Sequence, residues 1–204
     1  MRALALAAAP AAALVLAACA GPADRGPAPD TAWELVPDQS RLSFVSVKAA
    51  EIAEVHHFER LSGSVSADGT AVLEIPLDSL ETGIDIRNER MREFLFQTGL
   101  FPSARLTATI DLAQFRDLGI GDQRRIPLAG ELSLHGVTAP IETEVTVTRA
   151  AADKVVVASL DPIVVNAESF DMGAGVTELM KLANLPSIAP DAPVTFQLMF
   201  RARA

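Results

Sequence analysis

From Trp33 onward, apolar and polar residues alternate with a period of two, the signature of strands buried on one face. Ile126, Leu128, Gly130, Leu132 and Leu134 alternate with Pro127, Ala129, Glu131 and Ser133. After a turn expected at 135–140, the pattern resumes with Ile141, Val145 and Val147 set against Glu142, Glu144, Thr146 and Thr148. Leu106, Ala108, Ile110 and Leu112 make another apolar face, and so do Val194, Phe196, Leu198 and Phe200. Shorter segments at 41–47, 61–66, 71–77 and 155–160 carry the same signal, which brings the expected strands to about eight.

Two stretches leave this period. Over 84–96 the apolar residues Ile84, Met91, Phe94 and Leu95 recur at helical spacing, with Glu89, Arg90 and Glu93 opposite them. Over 176–185, Val176, Leu179, Met180 and Ala183 fall at i, i+3, i+4 and i+7, and Pro186 stops the run. Many strands with two short helices predict a mainly β, antiparallel barrel or sandwich. An eight-stranded barrel is either filled by its own side chains or holds one small ligand.

The N-terminus carries a different signal. Arg2 precedes an uncharged run from Ala3 to Leu16, and Leu16-Ala17-Ala18-Cys19 places the chain's one cysteine where a lipoprotein signal is cleaved and lipidated. The run is short for a membrane span, since Gly21-Pro22 interrupts it. The expected organisation is therefore a signal peptide at 1–18, a lipidated Cys19 with a Pro/Gly-rich flexible tether over 19–32, and a single domain over 33–204. Two acyl chains on Cys19 would make the membrane a partner through a stable anchor. Ala20, in place of aspartate, resembles lipoproteins destined for the outer membrane, on the periplasmic side. With 17 basic residues against 26 acidic ones, the chain is a poor partner for nucleic acid.

Asp38-x-Ser40 with Phe44, Thr82 with Arg87, Leu95-Phe96, Phe101-Pro102 and the hairpin Gly130-x-Leu132-x-Leu134-His135-Gly136-Val137-Thr138-x-Pro140 resemble the YceI family over about 33–203. The resemblance implies a lipocalin-like antiparallel barrel around a long isoprenoid or similar amphiphile, in a secreted or periplasmic protein. Ser40-Arg41-Leu42 departs from the family's Ser-His-Ser, and Arg87-Asn88 from its Arg-Asp.

Arg87 lies four residues before Met91 and seven before Phe94, which puts a cation on the apolar side of its helix, with Arg90 on the wet side. It admits two readings: a head-group ligand, for which a guanidinium fork suits phosphate or carboxylate, or a structural role, as an ion pair with Asp85 or Asp78 or in hydrogen bonds capping backbone carbonyls. Asn88 shares either role. Nine phenylalanines and no tyrosine give an interior without polar handles. Phe44, Met91, Phe94, Leu132 and Phe196, with Arg87 and Asn88, are the expected ligand-binding residues.

His56 and His57 are adjacent in an extended segment and point to opposite faces, while His135 belongs to a turn, so neither a metal site nor a haem ligand set is expected. No nucleophile elbow occurs. Gly173-Ala174-Gly175 lacks the third glycine of a dinucleotide loop and reads as a helix start needing unusual backbone angles. The expectation is a binding protein, not an enzyme, with no cofactor beyond a bound isoprenoid or lipid, and with a second copy of the chain as a candidate partner. Its rivals are a filled barrel acting as an envelope stress or interaction module, and an accessory presenting a quinone-like ligand to a redox protein.

Overall fold

The structure, a computed structural model, describes residues 31–203. The signal segment, Cys19 and all but the end of the tether lie outside these residues. Among the described residues, one antiparallel sheet contains β1 (Trp33–Leu35), β2 (Arg41–Lys48), β3 (Ile52–Phe58), β4 (Ser62–Val65), β5 (Thr70–Pro76), β6 (Leu80–Glu81), β7 (Ser103–Thr109), β8 (Gln123–Leu134), β9 (Val137–Ala151), β10 (Lys154–Ser159), β11 (Ile163–Asn166) and β12 (Asp191–Ala202). Hydrogen-bonded neighbours run β1-β4-β5-β7-β8-β9-β10-β12, and β12 pairs back onto β1, closing an eight-stranded antiparallel barrel.

The long strand β12 organises both ends of the barrel. Its C-terminal half pairs with β1 and β10, and its N-terminal half with β2 and β11. Along one edge, Leu35 faces Phe200 and Phe44 faces Val194, so β1 and β2 are one strand interrupted by a 3-10 turn at Pro37–Gln39. Proline has no N–H to give a ladder, which favours a break at this position. Ser40 bridges the gap: its Oγ donates to Val36 O (2.8 Å) and accepts from Met199 N (3.0 Å).

The alternation placed the interior correctly. Ile126, Leu128, Leu132, Leu134, Val145, Val147, Phe196, Leu198 and Phe200 are all buried in one continuous core. The turn between β8 and β9 is shorter than expected, because 137–140 belong to β9. Only His135 (φ 52°) and Gly136 (φ 80°) connect the strands, and two positive φ values suit a tight two-residue hairpin.

The strands that the pattern did not reveal are β1, β3, β6 and β11. In β3 the alternation is inverted: Val55 is 67 % exposed, whereas its neighbour His56 is 1 % exposed. Glu54 and His56 point inward there ahead of Phe58, so the strand carries no continuous apolar face for a period-2 search to find.

The first helical stretch is α1 (Asp85–Arg90), continued by a π-helical turn, Met91–Leu95. The second helix, α2 (Gly173–Leu182), starts and ends three residues earlier than expected. Neither Gly173 nor Gly175 has a positive φ, which corrects the expectation of unusual backbone angles. Gly175 is instead required by proximity: a Cβ there would lie 2.3 Å from Phe94 O and 2.8 Å from Leu95 Cα. The absent side chain lets α2 lie directly on the π-helical turn.

Candidate functional site

The barrel is not filled. A larger chamber of about 410 Å³ occupies the end flanked by the two helices, and a smaller one of about 180 Å³ lies toward the other end. Leu73, Leu106 and Phe196 line both chambers, forming a waist between them. Leu106 on β7 and Phe196 on β12 stand on opposite strands of the eight-membered ring. The larger chamber alone falls within the range of small-molecule sites, roughly 300–1,000 Å³. Trp33 lines the smaller chamber, whereas Asp191, at the far end of β12, lines the larger one. The described chain therefore joins the barrel at the end away from the larger chamber.

Inside the larger chamber, polarity changes in steps along β2 and β3. Phe44, Ser46 and Lys48 project from β2, and His56 and Phe58 from β3, with Glu54 on the same face as the latter pair. Phe44, Phe58 and Phe96 pack ring to ring, with centroids 5.7 Å and 5.9 Å apart. One step outward, His56 lies 5.2 Å from Phe44 by ring centroid and its Nε2 is 2.8 Å from Ser46 Oγ. Beyond it stands a charged cluster in which Glu54 Oε2 accepts from Lys48 Nζ (2.7 Å) and Arg87 Nη1 (2.8 Å). These two cations hold the Glu54 carboxyl down at about 2, and burial, helped by the Arg87 charge, lowers the His56 pKa to about 4.

Arg87 lines the chamber, as its position on the apolar side of the helix implied. Its ion-pair partner is Glu54, not Asp85 or Asp78; Asp78 pairs with Arg60 on the surface. Each of its three side-chain nitrogens already has an acceptor within the protein. Nη1 donates to Glu54, Nε donates to Thr82 Oγ1 (2.9 Å), and Nη2 donates to Thr82 O. Arg90, expected on the wet side, also lines the chamber, and its Nη1 donates to Leu182 O (3.2 Å), joining α1 to the end of α2.

Asn88 does not line either chamber. It is 3 % exposed, and its Oδ1 accepts from Thr82 N (3.0 Å) and Thr82 Oγ1 (2.6 Å) while Nδ2 donates to Glu81 Oε2 (3.2 Å). Thr82 is thus held by both Arg87 and Asn88, which accounts physically for the Thr82–Arg87 landmark: together they fix the start of α1 in the absence of a side-chain cap from Ile84.

Of the other expected ligand-binding residues, Phe44, Met91, Leu132 and Phe196 line the larger chamber. Phe94 lines neither; it is half-buried where α2 crosses the π-helical turn. Sequence reasoning missed Ser46, Lys48, Glu54 and His56. The signal available was a run of polar residues at every second position in a segment otherwise suited to a strand.

His56 and His57 face opposite sides of β3, one buried and the other half-buried. His135 Nδ1 lies 3.2 Å from Phe170 O, and its ring packs on Phe101 with centroids 4.4 Å apart. Among the described residues, no group of three or more His, Cys, Asp or Glu is placed to hold a metal ion. No helix among them is long and apolar enough to cross a membrane.

The YceI-like domain profile matches residues 33–200. Three solved structures share the architecture. A polyisoprenoid-binding domain from Saccharophagus degradans, implicated in plant cell wall breakdown, is 37 % identical, with a TM-score of 0.82 over 84 % of this chain and 98 % of its own. BcnA of Burkholderia cenocepacia is 18 % identical, with a TM-score of 0.63 over 81 % of this chain and 98 % of its own. The YceI protein of Campylobacter jejuni is 13 % identical, with a TM-score of 0.53 over 73 % of this chain and 84 % of its own, and like BcnA it shows a shared fold. Among curated proteins, none matches this sequence.

Proposed function

The chain belongs to the YceI-like family, and from that premise we propose that it binds an isoprenoid or a similar amphiphilic lipid inside its barrel, without catalysing a reaction. The observation that carries this reading is the larger chamber, whose walls are phenylalanine and aliphatic at depth and polar along β2, β3 and α1 and at Asp191 on β12. An apolar chain gains roughly 0.8 kcal/mol per buried methylene, partly offset by its ordering. The graded wall orients the molecule, tail toward the waist and head toward Ser46, His56 and the charged cluster. The binding of polyisoprenoid by the Saccharophagus domain supports the same ligand class.

We infer a location as well. Cys19, lipidated after cleavage of 1–18, anchors the barrel to the outer membrane on its periplasmic side, and the sequence around the cysteine supports this. The barrel is joined to this anchor through Trp33, at the end opposite the larger chamber. The chamber then opens away from the anchored end.

Isothermal titration of lipid-stripped residues 20–204 with geranylgeraniol tests the binding. Saturable, equimolar binding with a negative heat-capacity change is expected. Absence of saturation contradicts the reading. Metabolic labelling with radioactive palmitate tests the anchor, which predicts incorporation in the natural chain and none in Cys19→Ser.

A further inference from the structure

Among the described residues, His56 is a buried polar group that the fold leaves incomplete, as it does His135 at Nε2. The His56 Nε2 is engaged by Ser46, but Nδ1 has no partner among the described residues although the side chain is almost wholly buried in the wall of the larger chamber. A buried polar atom without a partner is costly, and in folded proteins such atoms are satisfied by protein, ordered water or a bound molecule.

The proton arrangement follows from Ser46. Among the described residues, Ser46 Oγ has no other hydrogen-bond partner than His56 Nε2. If the hydroxyl donates to Nε2, both groups are satisfied and the ring's one proton sits on Nδ1. The reverse tautomer turns the serine proton toward the chamber, without a protein acceptor among the described residues. The favoured arrangement therefore presents Nδ1–H as a donor that requires an acceptor oxygen.

The charges around it restrict what carries that oxygen. Lys48, Arg87 and Arg90 line the chamber as cations, with Asp191 in its wall and Glu54 bound to two of those cations. Three positive charges against two negative leave a single net charge, and every side-chain nitrogen of Arg87 is already committed to Glu54 or Thr82. A diphosphate would bring more negative charge than this surplus balances, at a partly desolvated position.

We propose that His56 and Ser46 form the head-group site of the chamber and select amphiphiles whose head is uncharged and bears an acceptor oxygen, such as a hydroxyl, ether or carbonyl, over prenyl diphosphates and plain hydrocarbons. This inference rests on the binding reading above and deepens it. The phenylalanine-lined depth takes the chain, and the Nδ1–H at its polar edge takes the oxygen.

The Saccharophagus structure contains little beyond the matched barrel, so this unit folds by itself. Lipid-stripped residues 20–204 are titrated with geranylgeraniol, geranylgeranyl diphosphate and phytane, three ligands of nearly equal chain. Geranylgeraniol is expected to bind about tenfold more tightly than either of the others, the worth of one buried hydrogen bond. His56→Phe, which keeps an aromatic ring beside Phe44, is expected to abolish the advantage of geranylgeraniol over phytane. In the unmutated protein, the His56 Nδ1–H resonance is expected to shift on adding geranylgeraniol and not on adding phytane. This measurement does not depend on the variant's folding. Equal affinities for all three ligands, a preference for the diphosphate, or an unmoved Nδ1–H resonance overturns the head-group site while leaving chain binding intact. Failure of all three to bind overturns the chain-binding reading as well.

Discussion

Arg87 Nη1 and Lys48 Nζ converge on a single oxygen, Glu54 Oε2, at 2.8 Å and 2.7 Å. The inward cation on α1 is thereby tied to β3 and, through Lys48, to β2. Arg87→Ala removes this tie and also leaves the Thr82 carbonyl without its guanidinium donor. Charge-assisted hydrogen bonds of this kind contribute roughly 1.5–3 kcal/mol. A drop of about 2 kcal/mol is expected, or roughly 4–8 °C in Tm for a domain of this size. Calorimetry reads the loss, and the preference for geranylgeraniol over phytane should persist in the same variant, since every side-chain nitrogen of Arg87 already serves the fold.

Asn88 presents a purely structural counterpart. Asn88→Ala leaves the buried Thr82 N–H unpaired, with an expected cost of about 1–3 kcal/mol. Asn88→Asp keeps an acceptor for both Thr82 groups but sets a second carboxylate near Glu81 Oε2. Urea unfolding should therefore rank the natural chain first, and both variants should retain lipid affinity once folded.

Acid should weaken the protein in two stages. The His56 pKa falls from 6.5 to about 4 on folding, so between these values the unfolded chain holds a proton that the folded chain excludes. Stability is full above pH 6.5 and declines as the pH falls toward 4, by roughly 3 kcal/mol. Glu54, lowered from 4.5 to about 2, adds a second loss over that lower window. In His56→Phe the decline between 6.5 and 4 should flatten while the lower one persists. Denaturant unfolding at a series of pH values separates the two.

Gly175 controls how closely α2 approaches the barrel. Gly175→Val must push the helix away from the backbone of Phe94 and Leu95, since neither atom is the end of a flexible side chain. A loss of about 1–3 kcal/mol is expected from such overpacking. Val176 and Leu179 line the larger chamber from the same helix, so geranylgeraniol affinity should fall as well. Titration of the folded fraction measures that second effect.

Period-2 alternation was enough to find the strands whose inner faces are apolar, including β8, β9 and β12, and the count of eight agreed with the closed ring because β1 and β2 share one edge of β12. It failed at β3, where Glu54 and His56 take the inward positions that an apolar residue fills elsewhere. The same substitution of polar for apolar that hides a strand in the sequence is what gives the chamber its polar wall. Arg87 was legible from helical spacing, but its partner was not, because Glu54 lies 33 residues away and only the packing of α1 on β3 joins them. Asn88, adjacent to Arg87 in sequence, turns onto Thr82 and Glu81, a direction that spacing alone does not give.

The central claim is that the chamber holds a lipid, and native mass spectrometry of residues 20–204 purified from a periplasm tests it most directly, because omitting Cys19 removes the anchor's own acyl chains. The account predicts a complex heavier than the chain by one isoprenoid-type molecule, released on denaturation and bearing an uncharged oxygen. A bare chain that remains bare after incubation with geranylgeraniol contradicts it.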